Sequence, residues 1–330
     1  MKLLALKAYP ITLIHCLAAI LFMVVPIAAG AQGYPNRPIR LVVPYAPGGA
    51  VDAFARPMAQ KLSEQLGQSV IVENRPGGNA TIGADAIAKA PADGYSIVLT
   101  SINHYIVPFF SKNVPYDPVR DFSPVIIVCN APNILAVHPS LPVQSMQELI
   151  DYAKKNPGKI FYGTTGVGST HHLAGLLLAQ MANINIEHVP YKGGNPTMTD
   201  VLAGAIPMVI ITASTVMPHA RAGKLRPLGV IERQRYAAVG DVPMIGEAVP
   251  GFAIPDTWLG ILGPAHLAPS LVTRLNEEIR KAINTPDVKA RLEGLGFVVT
   301  GNSPAQFDAQ LRTDTDVFRK IVTSAGIRPE

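Results

Sequence analysis

The sequence predicts an α/β protein of two lobes with a ligand cleft between them, preceded by an export signal. Three observations predict it. The N-terminus is first charged, then apolar, then closed by small residues; from residue 39 onward, short β-branched runs alternate with amphipathic segments; and two strand–turn–helix segments far apart in the chain read alike.

The N-terminus carries Lys2 and Lys7 and no acid, an apolar run from about Ile11 to Ala29, and Ala29-Gly30-Ala31 before Gln32. These are the three regions of a cleavable secretory signal, so residues 1–31 are read as a signal peptide. His15 and Pro26 interrupt the run and argue against a membrane anchor, and Cys16 lies inside it, where a lipoprotein would not place its cysteine. The rest, about 300 residues, is too long for an ordinary single domain and comfortable for two.

The full chain has a net charge of +5, with Lys and Arg scattered and no basic run or aromatic-interleaved patch, which disfavours nucleic acid as a partner. Of its two cysteines only Cys129 survives cleavage, so the mature chain has no internal disulfide and no Cys-rich metal site. No later apolar stretch is long enough to span a bilayer.

In chain order, Ile39–Val43 reads as a strand, and Phe54, Met58, Leu62 and Leu66 recur as a helix stripe that ends at Gly67. Pro57 falls inside that stripe and is expected to kink or delay the helix. A strand follows at Val70–Glu73, a helix at Thr81–Ala90 and a strand at Tyr95–Thr100. Pro108, Pro115, Pro118, Pro124 and Pro132 then break the pattern, and a first crossing between lobes is placed near residue 130. Next come a strand at Asn133–Val137, a helix opened by the capping box Ser145-Met146-Gln147-Glu148, and strands at Lys159–Thr165, Ile184–Val189, Met208–Thr212 and Leu225–Ile231. Thr257–Leu262 is read as a return strand, followed by helices over 270–284 and 304–325, the second opened by Ser303-Pro304-Ala305-Gln306. The alternation argues for parallel strands with crossover helices. The divisions are therefore 32–130 for the first part of lobe one, 131–254 for lobe two and 255–330 for the return segment.

The two similar segments are Arg40 to Asp52 and Lys159 to His171, each an apolar strand running through a Gly-rich turn into a helix. Such a turn points unpaired backbone N–H groups and the positive end of a helix dipole at whatever occupies it, which makes it a carboxylate or phosphate cradle. One cradle per half implies a protein that closes on an anionic small molecule. The first turn lacks the G-x-G-x-x-G spacing and the Gly-Lys-Ser/Thr of a P-loop. Candidate ligand-binding residues are Ala46, Pro47, Gly48, Gly49 and Asp52 in the first turn, and Thr164, Thr165, Gly166, Gly168, Ser169 and Thr170 in the second. Ser101, after the third strand, and Lys192, in Tyr191-Lys192-Gly193-Gly194-Asn195, complete the set. Asp52 can instead bond back to its own turn amides, and Ser169 and Thr170 can simply cap their helix. Lys192 is equally readable as a solvated lysine, and Trp258 as a core residue.

His171 and His172 are adjacent and point to different sides of a helix, so a zinc site would need further ligands, with His188 one conceivable partner; no metal or cofactor is expected. No Gly-x-Ser-x-Gly elbow and no matched nucleophile–base pair is evident, so no catalytic residue is assigned.

Taken together, the segments resemble the extracytoplasmic solute receptors of the tripartite tricarboxylate transporter, the Bug family. The resemblance is carried by Tyr34-Pro35-Asn36-Arg37-Pro38-Ile39-Arg40, Pro47-Gly48-Gly49 with Asp52, Val72-Glu73-Asn74-Arg75-Pro76-Gly77, Asp93-Gly94-Tyr95, Pro157-Gly158-Lys159, Gly166-Val167-Gly168-Ser169 with His172-Leu173-Ala174, Val189-Pro190-Tyr191-Lys192-Gly193, and Ala222-Gly223-Lys224-Leu225-Arg226. It runs through the mature chain in order. Asn79-Ala80 stand where the family more usually has glycines, and Ile206-Pro207 where an acidic residue is common. The resemblance implies a type II periplasmic-binding-protein fold, a periplasmic location, and a carboxylate held by the two Gly-rich loops through backbone amides and water. It implies a receptor that passes a small organic carboxylate, such as a dicarboxylate, an acidic amino acid or an aromatic acid, to membrane permease subunits. Two other functions remain open: a ligand-sensing module for a membrane histidine kinase, and an exported hydrolase using Ser169, His171 or His172 with Asp200.

The signal reading is tested by the intact mass of the exported form, which is expected to begin at Gln32; a membrane-bound species retaining Met1 would contradict it.

Overall fold

The computed structural model describes residues 33–324, 326, 327 and 329; the signal segment 1–31 and the last residue of the helix expected over 304–325 lie outside them. The elements below all belong to the unit Arg37–Glu330. They are β1 (Ile39–Val43), α1 (Ala50–Leu66), β2 (Val70–Asn74), α2 (Thr81–Ala88), β3 (Ser96–Ser101), α3 (Asn103–Ile106) and β4 (Phe122–Asn130). Next come β5 (Asn133–Val137), α4 (Met146–Lys155), β6 (Ile160–Thr164), α5 (Thr170–Ala182), β7 (Ile186–Pro190), α6 (Gly194–Leu202), β8 (Met208–Thr212), α7 (Ala213–Arg221), β9 (Arg226–Val230) and α8 (Ile245–Ala248). The chain ends with β10 (Trp258–Pro264), α9 (Pro269–Ile283), α10 (Pro286–Gly294), β11 (Val298–Val299) and α11 (Pro304–Ser324).

Local chemistry accounts for many of the boundaries. In α1, Phe54, Met58 and Leu62 are buried, and Gly67 ends the helix in the left-handed conformation that glycine adopts without a Cβ penalty. Pro57 neither delays nor stops this helix, which begins at Ala50. At α4 the Ser145 hydroxyl accepts from the Glu148 amide at 3.2 Å, and Glu148 reaches back to the amide of Gln144 at 2.7 Å, one residue earlier than a standard capping box. At α11 the box is reciprocal: the Gln306 amide donates to Ser303 Oγ and the Ser303 amide to Gln306 Oε1.

The strands form two sheets, ordered β11-β4-β10-β3-β1-β2 and β7-β6-β8-β5-β9. β1 runs parallel to β2 and β3, and β6 parallel to β7 and β8. The expectation of parallel strands throughout is corrected by β10, antiparallel to β3 and β4, and by β5, antiparallel to β8 and β9. Both strands begin just after the chain has passed from one sheet to the other. A chain arriving at the carboxyl ends of parallel strands has to run back against them, whereas a crossover helix would have restored the parallel sense. The Pro-broken stretch also hides a nine-residue strand, β4, because the apolar run Val125–Cys129 is buried between β10 and β11 and overrides Pro124 near its start.

Between the sheets the two chain crossings are tied together. The Ala131 amide donates to the Thr257 carbonyl at 2.7 Å, and Glu232 pairs with Ile254 in an isolated parallel bridge. Asn133, fully buried, donates its side-chain N–H groups to Glu232 Oε1 at 2.8 Å and Thr257 Oγ1 at 2.7 Å. Trp258 beside it is core, with its ring N–H donating to Asp314 at 3.0 Å.

Burial pushes the Glu232 carboxyl up from its ordinary 4.5 to about 8, outweighing the hydrogen bonds from Asn133 that favour the ionised form. Folded Glu232 therefore keeps its proton where the unfolded chain has released it. This contribution to stability is fully present below about pH 4.5 and is lost as pH rises toward 8. Relative to Glu232→Gln, the wild type is expected to lose stability between pH 5 and 8 in urea unfolding; a constant difference across that range would contradict the assignment.

Candidate ligand-binding site

The carboxyl ends of the parallel strands and the N-termini of the helices that follow them meet around a cavity of 880 Å³. The wall takes Ala46, Gly49, Ala50 and Val51 from the β1–α1 turn and Thr165, Gly166, Val167, Thr170 and His171 from the β6–α5 turn. Both Gly-rich turns thus face one space. Ser101 and Lys192 also line it, so seven of the predicted residues come together on the wall: Ala46, Gly49, Ser101, Thr165, Gly166, Thr170 and Lys192.

The other predicted residues support the wall from behind. Gly48 has φ 76, and its amide donates to Asp52 Oδ2 at 2.9 Å. Asp52 is buried and also accepts from Arg56 and from the Asn74 side chain at 2.9 Å. Burial opposes ionisation of this carboxyl, yet the bonds from Arg56, Gly48 and Asn74 hold it below its usual range. Asp52 therefore fixes the turn's shape, and Pro47 lies outside the wall. In the second turn Thr164 is buried, with its hydroxyl 2.7 Å from His188 Nε2. Ser169 caps α5, accepting from the His172 amide at 3.2 Å and donating to the Gly166 carbonyl at 2.7 Å. Gly168, at φ 75, backs onto Phe110, which a Cβ would meet at 3.2 Å.

Several amides of the second turn are already bonded. Gly166 donates to Thr164 Oγ1, Gly168 to His172 Nδ1, and Thr170 to Asn103 Oδ1 at 2.9 Å. Other helices add donors. The first-turn amides of an α-helix lack partners within it, and α1, α2, α6 and α7 have no side-chain cap on Gly49, Ala80, Gly193 and Thr212, all of which line the cavity. With α5, five helices direct N-termini at one space. Sequence reading found Lys192-Gly193-Gly194 but missed Tyr45, Asn103, the loop Pro76–Ala80 and Thr212, which only the tertiary fold brings in.

Burial holds the three histidines beside the second turn neutral. His171 accepts a bond from Thr165 Oγ1 at Nδ1 and donates from Nε2 to Asn133 Oδ1 at 2.8 Å; burial pushes its pKa down to about 3. His172 stacks on His188 with ring centroids 3.9 Å apart, and burial pushes their pKa values down to about 4 and about 3. Among the described residues no group of three or more His, Cys, Asp or Glu side chains is placed to hold a metal. Among the described residues Lys192 is the only charged side chain on the wall, and it is exposed. The Ser169 hydroxyl is bonded to backbone, and Asp200 accepts from Tyr191 at 2.6 Å, so they form no nucleophile–base–acid chain.

Two α/β lobes around a cavity lined by helix N-termini define a solute-binding protein of the periplasmic type. The chain belongs to the tripartite tricarboxylate transporter receptor family, whose model matches residues 54–326. It is 39% identical over 293 residues, 88% of this chain and 87% of the relative, to a UPF0065 protein in the tcbD-tcbE intergenic region of Pseudomonas sp. strain P51. A solved structure of R. palustris Rpa4515 with adipate is 34% identical, with a TM-score of 0.86 over 90% of this chain and all of that one. The periplasmic binding protein BugD is 30% identical, with a TM-score of 0.83 over 90% of this chain and 100% of that one. These findings establish the two-lobed fold and the family that the motifs resemble. Among the described residues no helix is long and apolar enough to cross a membrane.

Because buried His171 and half-buried His172 and His188 stay neutral above about pH 5, anion affinity is expected to be flat between pH 5 and 8 by calorimetry. Binding that strengthens as pH falls through 6 to 7 would show an imidazolium at the site and contradict this.

Proposed function

We propose that the chain is a periplasmic receptor that binds a small organic carboxylate between its lobes and delivers it to a tripartite tricarboxylate-type permease. The observation that carries this reading is the convergence of helix N-termini from both lobes on a wall with no carboxylate and one lysine. The adipate held by the Rpa4515 relative supports a carboxylate ligand, and the family match supports a permease partner over a sensor kinase. In this reading residues 32–130 and 255–330 make one lobe and 131–254 the other, and the lobes close on the ligand.

A thermal-shift screen of the mature protein against dicarboxylates, acidic amino acids and aromatic acids tests it. A true ligand at a hundred times its Kd stabilises by about 2.7 kcal/mol. Gly49 has φ −76, and a Cβ there would stand 3.4 Å from the Ala46 carbonyl, so Gly49→Val crowds the cradle without forcing the backbone. It is expected to weaken binding at least about tenfold, or ~1.4 kcal/mol, with little loss of melting temperature. Lys192→Met, at an exposed position, is expected to cost only about 0.2–1 kcal/mol. A panel without any stabilising carboxylate would overturn the reading.

A further inference from the structure

The loop Pro76–Ala80 between β2 and α2 is a strained part of the cavity wall. Gly77, Gly78, Asn79 and Ala80 all have positive φ, at 127, 56, 51 and 78°. The glycines adopt this backbone freely, but asparagine tolerates it only in part and alanine has no polar group to compensate for it. Strain of this kind persists where the surroundings over-determine it. Here the loop runs close to α2: a Cβ on Gly77 would stand 2.5 Å from the tip of the exposed Ile82 side chain.

The strained backbone aims one side chain across the cavity. Asn79 Nδ2 donates to the Val167 carbonyl at 2.9 Å, joining a loop of the first lobe to the tip of the Gly-rich turn in the second. Both residues line the cavity, and the bond is exposed, so it lies toward the mouth. A second inter-lobe pairing beside the cavity, from Thr170 to Asn103, is buried. An exposed bond of this kind opens and closes with solvent access, whereas the buried pair is shielded from it.

We infer that Asn79 is a latch on the cavity: its bond to the Val167 carbonyl holds the lobes together at the mouth, so that Asn79 sets how long a ligand stays. The ligand half of this inference rests on the carboxylate-receptor reading; the latch half does not. Asn79→Gly removes the donor and relieves the left-handed strain. Asn79→Asp keeps the size and the tolerance of positive φ but sets an acceptor against the Val167 carbonyl.

The experiment measures the lobe separation without ligand, by pulsed electron paramagnetic resonance between spin labels at Gln60→Cys and Asp151→Cys, exposed positions on α1 and α4, with the buried Cys129 left in place. Both latch variants are expected to shift the distances toward longer values, with Asn79→Gly melting at or above the wild-type temperature. A purely structural role predicts the reverse for Asn79→Gly, a lower melting temperature with unchanged distances. For whichever carboxylate the panel identifies, both variants are expected to dissociate it at least fivefold faster while keeping the order of ligand preference. Distances unchanged in both variants overturn the latch. A panel with no binder overturns the receptor reading and leaves the distance test intact.

Discussion

The side-chain amide of Asn133 sits where the two chain crossings meet, and the rest of the site is referred to it. Its Nδ2 donates to Glu232, just after β9, and to Thr257, just before β10, and its Oδ1 accepts from His171 on the helix of the second turn. These bonds fix the amide's orientation and hence the histidine's tautomer, with the proton on Nε2 and the lone pair on Nδ1 turned to the Thr165 hydroxyl. Thr165, His171 and Thr257 all line the cavity. A buried polar network with every partner present is rigid, and one with a partner missing is costly. The second turn is therefore held in place from the chain crossings, and the crossings are held by a cluster that shares residues with the wall.

In the proposed reading the wall attracts an anion with almost no formal charge. Each helix N-terminus carries the equivalent of roughly half a positive charge, and five of them meet here. A buried lysine or arginine would have to shed its own hydration shell, and would demand a carboxylate partner whenever the site was empty. Backbone dipoles are anchored by the fold and carry no such requirement. The neutral histidines fit this pattern, since burial removes the proton that would otherwise make the site depend on pH.

Much of the fold was legible because it was written locally. Asn133–Val137 and Met208–Thr212 are strands with the bounds their β-branched runs suggest, Ser145 caps its helix, and the box at Ser303 closes reciprocally as its spacing requires. Strand direction was not legible, because β5 and β10 owe their antiparallel sense to where the chain arrives from. Both Gly-rich turns were legible as parts of one site in the sense that they face one cavity. The roles of individual polar residues within them were not. Asp52 and Ser169 lie beside the turns in sequence, but their side chains fold back onto Gly48 and Gly166 while Ala50, Val51 and Thr165 face the cavity. Sequence distance from a glycine says nothing of that direction. The capless starts of α6 and α7 join the site only through tertiary convergence, for which no local signal exists beyond Gly193-Gly194.

The central claim is that backbone amides at helix N-termini of both lobes hold the anion. Amide resonances of ¹⁵N-labelled mature protein, followed while a bound carboxylate is titrated in, test it most directly. The account predicts saturable downfield shifts at Ala50 and Val51 in one lobe and at Gly194 and Asn195 in the other, with a common dissociation constant. Shifts confined to the Lys192 side, or to one lobe alone at saturation, would contradict it.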